Sequence, residues 1–548
     1  MGPSLFIQLP TTNLLRRAGC SLRLALEIAL FSALILATRC ANYRDVLVDG
    51  KIYFVDADCY SRMTRVRMVA GHPGLIVRQH DFENFPAGIS PHTTAPLDYL
   101  ITLLALCLRP FTSQPLDLAG AIVSPLLALA AGWFLWWWSR RIDWPGRWAL
   151  LLVYALSAML VHGTTLGRPD QQSMLIVTLL VALAAEYRLQ EKPSRGWGTV
   201  SGIAWGLALW VSLYEPLILL AALLLSFVVA DRAQFTARAR RPGWWVLLGI
   251  VLLAALIERR LPEWPGSEPF FANWAGTIGE LKPVSLTDPI WLSWLGGLFL
   301  VSPILLLVAA WHRLLPWTFV GLFALCFVLT IAQARWGYFL VTVFLFTIPV
   351  QFALVRPGWR AGALLVAALF PLLFFWDESF RPNEATTASR AAERTALVQW
   401  RAVASSLAGP NVTPILAPWW LAPATAYWSG QAVVAGSSHE SLPGIVASAR
   451  FFLSTSPEEA WKILRQHRVK WVLAEDSERV AANSAAILGL HAPSTALCFE
   501  LDRDPTQVPD YLKLIGRNGS CTLYEVRDLH DKFRTLRKPG VDMSPAAF

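Results

Sequence analysis

The sequence predicts a polytopic α-helical membrane protein of about 11–13 spans, followed by a C-terminal extracytoplasmic α/β domain. Three observations predict it. The chain is 55% hydrophobic and only 16% charged, too little charge to cover a soluble domain of this length. Apolar runs long enough to cross a bilayer recur as far as residue 376. Basic residues collect in alternate connections between those runs, as they do in cytoplasmic loops.

Arg16, Arg17 and Arg23 precede the first run, which ends near Ala37. Ala37-Thr38-Arg39 is a poor cleavage site, so this run is read as an uncleaved span. Further spans fall near 118–138, 146–163, 171–187, 198–213, 216–230, 243–258, 290–310, 315–332, 337–355 and 361–376. The run 95–112 holds Pro96, Asp98, Arg109 and Pro110 and reads as a helix lying in the outer interface. With it not crossing, the inside loops carry Arg140, Arg141 and Arg147, then Arg188, Lys192 and Arg195, then Arg232, Arg238, Arg240 and Arg241. Arg313, Arg356 and Arg360 follow on the same side. Counting 95–112 as a span would put the first three basic loops outside.

The expected membrane domain is therefore 1–376, with outer loops 40–94, 164–170 and 259–289. Residues 377–548 form the outer domain. There Thr413–Leu416, Ala432–Ala435, Trp471–Ala474 and Cys521–Val526 read as strands. Ser456–His467 reads as a helix with Ser456 as its N-cap. The 26 Trp suit a chain with two membrane interfaces. A formal charge of +9 fits loops against anionic lipid, or an anionic substrate such as a lipid pyrophosphate. The arginines are dispersed among apolar spans and form no stripe, which argues against nucleic acid. Cys20, Cys40, Cys107 and Cys326 read as thiols in or beside apolar segments, whereas Cys498 and Cys521 could pair in an oxidising compartment.

The chemistry lies at the outer ends of the spans. Asp56 and Asp58 sit in Asp56-Ala57-Asp58-Cys59-Tyr60, and Asp170 in Gly167-Arg168-Pro169-Asp170-Gln171-Gln172. Glu280 sits in Thr277-Ile278-Gly279-Glu280. Carboxylates beside hydrocarbon are costly unless paired or bound to a cation, and three on one face suit a divalent ion. Asp58 is favoured over Asp56 by its spacing to Tyr60; the plain alternative is a solvated loop paired with Arg62, Arg65 and Arg67. Asp170 also suits a helix N-terminus, and Gln172 offers a neutral oxygen ligand. Arg335, between strongly apolar spans, needs an anion, and its planar fork suits phosphate; a helix C-terminus is the alternative. Trp419-Trp420-Leu421 opens an aromatic run ending at Gly430, either core or binding surface.

Together these motifs resemble the catalytic subunit of oligosaccharyltransferase, within the type C membrane glycosyltransferases. The resemblance implies that Asp58, Asp170 and Glu280 hold Mn²⁺ or Mg²⁺; Gln171-Gln172, with Gln172 as the added metal ligand, replaces the acids or histidines usual after the second Asp. Asp58, Glu280 and Asp56 would act on the acceptor, and Arg335 on the pyrophosphate of a polyprenyl-linked glycan. It implies inverting transfer to protein Asn, and the short, single-subunit look of the chain points to the outside of a prokaryotic plasma (inner) membrane. Trp419, Trp420 and Leu421 would bind the acceptor. The family motif is Trp-Trp-Asp-Tyr-Gly, and Leu421 stands in the place of its Asp. That departure favours a second reading, a same-fold enzyme acting on a lipid, polysaccharide or hydroxyl acceptor. A reading from another class is a non-catalytic membrane protein or transporter. Against it, few charges lie inside the spans, Glu215 being the nearest exception.

Overall fold

Every run read as a membrane span is helical over most of its length, and caps and prolines set where many of these helices begin and end. The computed structural model describes residues 11–527 apart from 143, 145, 231, 261–267, 356–357 and 504–506, so Arg356 lies outside the described residues. It divides into one unit of Met1–Arg78, His92–Pro262 and Gly279–Arg390, and a second of Gln79–Pro91, Glu263–Ile278 and Ala391–Phe548.

In the first unit, Pro115–Arg141, Gln171–Glu191, Arg241–Glu258, Ala334–Ala353 and Trp359–Phe380 are long and apolar enough to cross a bilayer. Shorter apolar helices accompany them, including Arg147–Leu156, Ser302–Trp311 and Trp317–Ala332. The chain is an integral, multi-pass membrane protein. The segment read as an interfacial helix forms Ala95–Leu108, 14 residues with Thr94 as N-cap. At 1.5 Å per residue it reaches about 21 Å, short of a ~30 Å hydrocarbon core.

Two runs expected as single spans are interrupted. The run 290–310 is three pieces, Ile290–Leu295, Gly297–Leu300 and Ser302–Trp311. The run 146–163 breaks at Ser157 into Arg147–Leu156 and Ala158–His162. A helix that stops inside a membrane protein leaves carbonyls that must find donors. Here Arg39, fully buried at the end of the first helix, supplies them: Nη2 donates to the Tyr154 carbonyl at 2.8 Å and Nη1 to the Ala155 carbonyl. The Thr38 hydroxyl adds a bond to Ala155 at 2.9 Å, and Trp376 Nε1 donates to Leu156 at 2.7 Å. The break turns the chain out toward residues 163–170. Thr164 Oγ1 in turn accepts from Arg39 Nε at 3.3 Å.

Elsewhere the helices approach through glycine. A Cβ on Gly202 would stand 2.1 Å from the Gly243 carbonyl, so Arg195–Val211 and Arg241–Glu258 touch backbone to backbone. Small residues are what permit such contacts in membranes. One end of this pair holds a buried ion pair, Arg240 Nη1 to Glu186 Oε2 at 2.5 Å, with Ser201 Oγ on the other carboxylate oxygen.

The second unit is α/β. Its sheet comprises β1 (Ile415–Leu416), β2 (Trp471–Ala474), β3 (Leu512–Asn518) and β4 (Cys521–Val526), in the order β1-β2-β4-β3. β1 pairs parallel with β2, and the remaining pairs are antiparallel. Pro457–Gln466 is a helix whose N-cap Ser456 accepts from the Glu459 amide. Ala432–Ala435, expected as a strand, contributes one bridge, Val433 to Ile415. Leu512–Asn518 went unread because its register carries a bulge at Leu514–Gly516 and its residues are mostly exposed. Cys498 and Cys521 are both buried free thiols, so the pairing raised as an option is not made.

Candidate functional site

Three segments of the first unit bring their carboxylates to one guanidinium. Asp56 is the N-cap of Ala57–Gly71, in extended backbone, and its Oδ1 accepts from the Cys59 amide at 3.0 Å. Asp170 is the N-cap of Gln171–Glu191 and accepts from the Gln171 amide at 2.6 Å. Glu280 sits in the 3-10 turn Gly279–Leu281. That turn is tied to the one bearing Arg335, because the Ala334 amide donates to the Lys282 carbonyl at 2.8 Å and the Val284 amide to Ile331 at 3.0 Å.

The shared guanidinium is Arg168, whose side chain is 6% exposed. Nη2 lies 2.6 Å from Glu280 Oε1 and 3.8 Å from Asp170 Oδ2; Nη1 lies 3.3 Å from Asp56 Oδ2. The backbone around it is fixed from three sides. The Gly167 amide donates to the Ala121 carbonyl, the Val55 amide donates to the Gly167 carbonyl, and Ser124 Oγ caps the Arg168 carbonyl. Gly167 has φ +75, and a Cβ there would stand 2.7 Å from Val46, so glycine is required on both counts.

A ring of hydrogen bonds closes beside the acids. Arg168 Nη1 donates to His162 Nε2 at 3.1 Å, His162 Nδ1 meets the Tyr338 hydroxyl at 2.6 Å, and that hydroxyl donates to Glu280 Oε1 at 3.0 Å. A ring nitrogen facing a guanidinium can only accept, which assigns His162 as neutral with its proton on Nδ1. Gln172, with its amide oriented to satisfy its neighbours, donates to Asp170 Oδ1 at 2.8 Å and accepts from Arg335 Nη2 at 3.2 Å. Arg335 Nε is 2.9 Å from Glu215 Oε1, and Ser212 Oγ holds the other oxygen of Glu215.

The electrostatics separate the three acids. Burial raises Asp56 and Glu280, but Arg168 outweighs it, aided at Asp56 by the Cys59 amide, and at Glu280 by Arg335 and His162; both end below the ordinary carboxylate range. At Asp170 burial wins over Arg168, and its carboxyl is raised. The Arg168 guanidinium, opposed by burial, is held firmly charged by the carboxylates of Asp56, Glu280 and Asp170. Next to Asp170, Gln171 Oε1 is buried with no donor, a deficit that costs roughly 1–3 kcal/mol.

The structure thus joins Asp56, Asp170, Gln172, Glu280 and Arg335. Asp58, two residues past the cap, is exposed in the first helical turn. Sequence reasoning missed Arg168, His162 and Tyr338, and it noted Glu215 without its partner. Arg168 was in plain view inside the Gly167–Asp170 motif; His162 and Tyr338 had no signal beyond lying at the ends of apolar runs.

Trp419, Trp420 and Leu421 belong to the second unit and are partly buried. Trp419 Nε1 donates to Asn483 Oδ1 at 2.7 Å, and its ring packs edge-on against Trp274 and Trp420. Arg479 stacks 4.9 Å from the Trp420 ring. Leu421 precedes the helix Ala422–Ser429.

No protein-family model matches the sequence, and no curated protein does. Solved structures do. The archaeal oligosaccharyltransferase AglB from Archaeoglobus fulgidus, in complex with an inhibitory peptide and a dolichol-phosphate, superposes with a TM-score of 0.64 at 14% identity, covering 85% of this chain and 70% of that one. An Archaeoglobus fulgidus oligosaccharyltransferase in complex with Zn and sulfate gives 0.61 at 14% identity, covering 86% and 70%. ArnT from Cupriavidus metallidurans bound to undecaprenyl phosphate gives 0.55 at 13% identity, covering 92% of this chain and 98% of that one. The chain has the fold of these membrane glycosyltransferases, as its motifs led us to expect, and is a divergent instance of it.

Proposed function

We propose that this chain is a membrane glycosyltransferase that moves a glycan from a polyprenyl-(pyro)phosphate carrier to an acceptor at the outer face of a prokaryotic plasma (inner) membrane, most like oligosaccharyl transfer. The fold likeness supports the class. The observation that carries the reading is the convergence of Asp56, Asp170 and Glu280 within 4 Å of Arg168. The positive-inside pattern supports an outer placement for these loops and for the C-terminal domain.

The acceptor must shed a proton as it bonds to the anomeric carbon, and a carboxylate within hydrogen-bond reach serves that need. Asp56 and Glu280, 34% and 25% exposed, can be reached by an incoming group, whereas Asp170 at 12% is closed off by its neighbours. Asp56 and Glu280 therefore orient the nucleophile and take its proton, and Asp58 in the same turn assists. Attack inverts the anomeric carbon, and negative charge passes to the departing lipid phosphate. Arg335, one quarter exposed, offers that phosphate its guanidinium. Tyr338 and His162 hold Glu280 in place.

The oxygen-rich donor set of three converging carboxylates fits a hard divalent ion. Asp56, Asp170 and Glu280, with Asp58 and Gln172, are the residues that would hold Mn²⁺ or Mg²⁺. Such an ion supplies charge neutralisation for the leaving phosphate.

The test is transfer from purified polyprenyl-linked glycans, with Mn²⁺ or with chelator, to an Asn-x-Thr peptide and to its Asn→Gln counterpart. Labelling of the Asn peptide alone is the expected result. Donor consumption without peptide labelling supports the second reading, a lipid, polysaccharide or hydroxyl acceptor. Leu421 favours that reading. No donor turnover under either condition refutes the enzyme.

A further inference from the structure

We infer that Arg168 is an internal counter-cation that competes with a divalent metal for the Asp56, Asp170 and Glu280 carboxylates. The inference rests on reading that cluster as the metal-holding centre. Glu280 Oε1, the oxygen 2.6 Å from Arg168 Nη2, also takes the Tyr338 hydroxyl. Asp56 Oδ1 is committed to the Cys59 amide, and the oxygen facing outward is the one 3.3 Å from Arg168 Nη1. An ion bonded at the usual 2.0–2.6 Å to Asp56 Oδ2 must therefore take an oxygen that the guanidinium now serves, and one on Glu280 Oε2 must share the carboxylate that the guanidinium holds through Oε1. Both cations cannot occupy that position, because like charges so close in a buried site repel strongly.

Arg168 is also built to let go. Its backbone is pinned, but its Nε is buried with no hydrogen-bond partner, so the head group is held only through its two terminal nitrogens. Those nitrogens form the planar fork that suits a phosphate, and a phosphate can receive them without movement of the loop. The competing position belongs to Arg168 and not to Arg335, which is engaged by Glu215 and Gln172.

The test is Mn²⁺ binding, followed by loss of the free-ion EPR signal, to the full-length protein in nanodiscs without donor or acceptor. Four proteins are compared: wild type, R168K, R168Q and the double variant R168Q/E280Q. We expect R168Q to bind Mn²⁺ at least about tenfold more tightly than wild type, since removing a neighbouring like charge is worth that much. R168K, which keeps the charge, stays near wild type and controls for folding. The double variant loses the gain, which places the ion on Glu280. Equal affinity of wild type and R168Q overturns the inference. So does a gain that survives in the double variant, or the absence of Mn²⁺ binding in all four. Because no sugar donor is present, failure of glycosyl transfer leaves this result readable on its own.

Discussion

Replacing Glu280 with Gln keeps the shape of the side chain and removes one charge from the centre of the site. The charge lies 2.6 Å from Arg168, which at an effective dielectric of 20 is a gross attraction of about 6 kcal/mol. Most of that is offset. The neutral amide no longer has a buried charge to desolvate, and Arg168 keeps Asp56 at 3.3 Å and Asp170 at 3.8 Å. The Tyr338 hydroxyl still finds an amide oxygen. A net loss of about 1–3 kcal/mol follows, below the ~3–5 kcal/mol of a buried ion left without a partner. Activity should suffer far more, because the residue that receives the acceptor's proton is gone: about 10²–10⁴ in rate. Both are measured on one nanodisc preparation, stability by thermal unfolding and activity by donor consumption. Turnover per folded molecule within about twofold of wild type would refute the assignment of Glu280 to the reaction, whatever the stability change.

Arg39→Met should cost about 3 kcal/mol or more, since it strips donors from the Tyr154 and Ala155 carbonyls inside the membrane unit; a shift under about 1 kcal/mol would mean that Thr38 and Trp376 suffice. Gly202→Ala should lower the unfolding temperature by pushing two helices apart, whereas Gly249→Ala, which meets nothing within 4 Å, should leave it unchanged. Acid titration should follow the signs of the shifts. Asp170, raised by burial, takes its proton first and with a gain in folded stability, so the unfolding temperature holds or rises as pH falls toward the ordinary carboxylate value of about 4. Asp56 and Glu280, lowered by Arg168, contribute stability that is present above ordinary values and lost only as pH falls through their own lower ones. E280Q should soften that late loss; a steep fall beginning near pH ~6 contradicts the assignment.

The helices were legible because a span in hydrocarbon must be continuous and apolar, and hydropathy reads that directly. The break at Ser157 was not, because its cause is Arg39, 116 residues away from the carbonyl at Ala155. No window of local sequence contains both. β2 and β4 were legible as apolar runs, while β3 was hidden by its exposed residues. At the site, position at the end of a span marked Asp170, while Glu280, one loop glutamate among others, drew its weight from the other two acidic motifs. The choice between Asp56 and Asp58 depends on which is the N-cap. In the structure Asp56 turns back to bond Cys59 and faces Arg168, while Asp58 enters the helix two residues later.

Arg168 was given no role inside the Gly167–Asp170 motif, yet the charge of the whole cluster turns on it. Among the described residues, Asp56, Asp170, Glu280 and Glu215 make their ion pairs with Arg168 and Arg335, His162 is neutral, and Arg62, which also acts on Asp170, is matched by Asp98. Two carboxylates are therefore unmatched in a site that excludes most water. One remedy is visible at Asp170, whose raised carboxyl eases the excess by favouring its proton. A divalent ion is the other, and it matches the deficit in full. Its entry, however, sets it against the guanidinium already bonded to Glu280. An anion arriving nearby resolves that conflict by giving Arg168 an alternative partner. A site with this charge balance is stable with a proton and Arg168, or with an ion and a phosphate, and each partial filling is electrostatically worse.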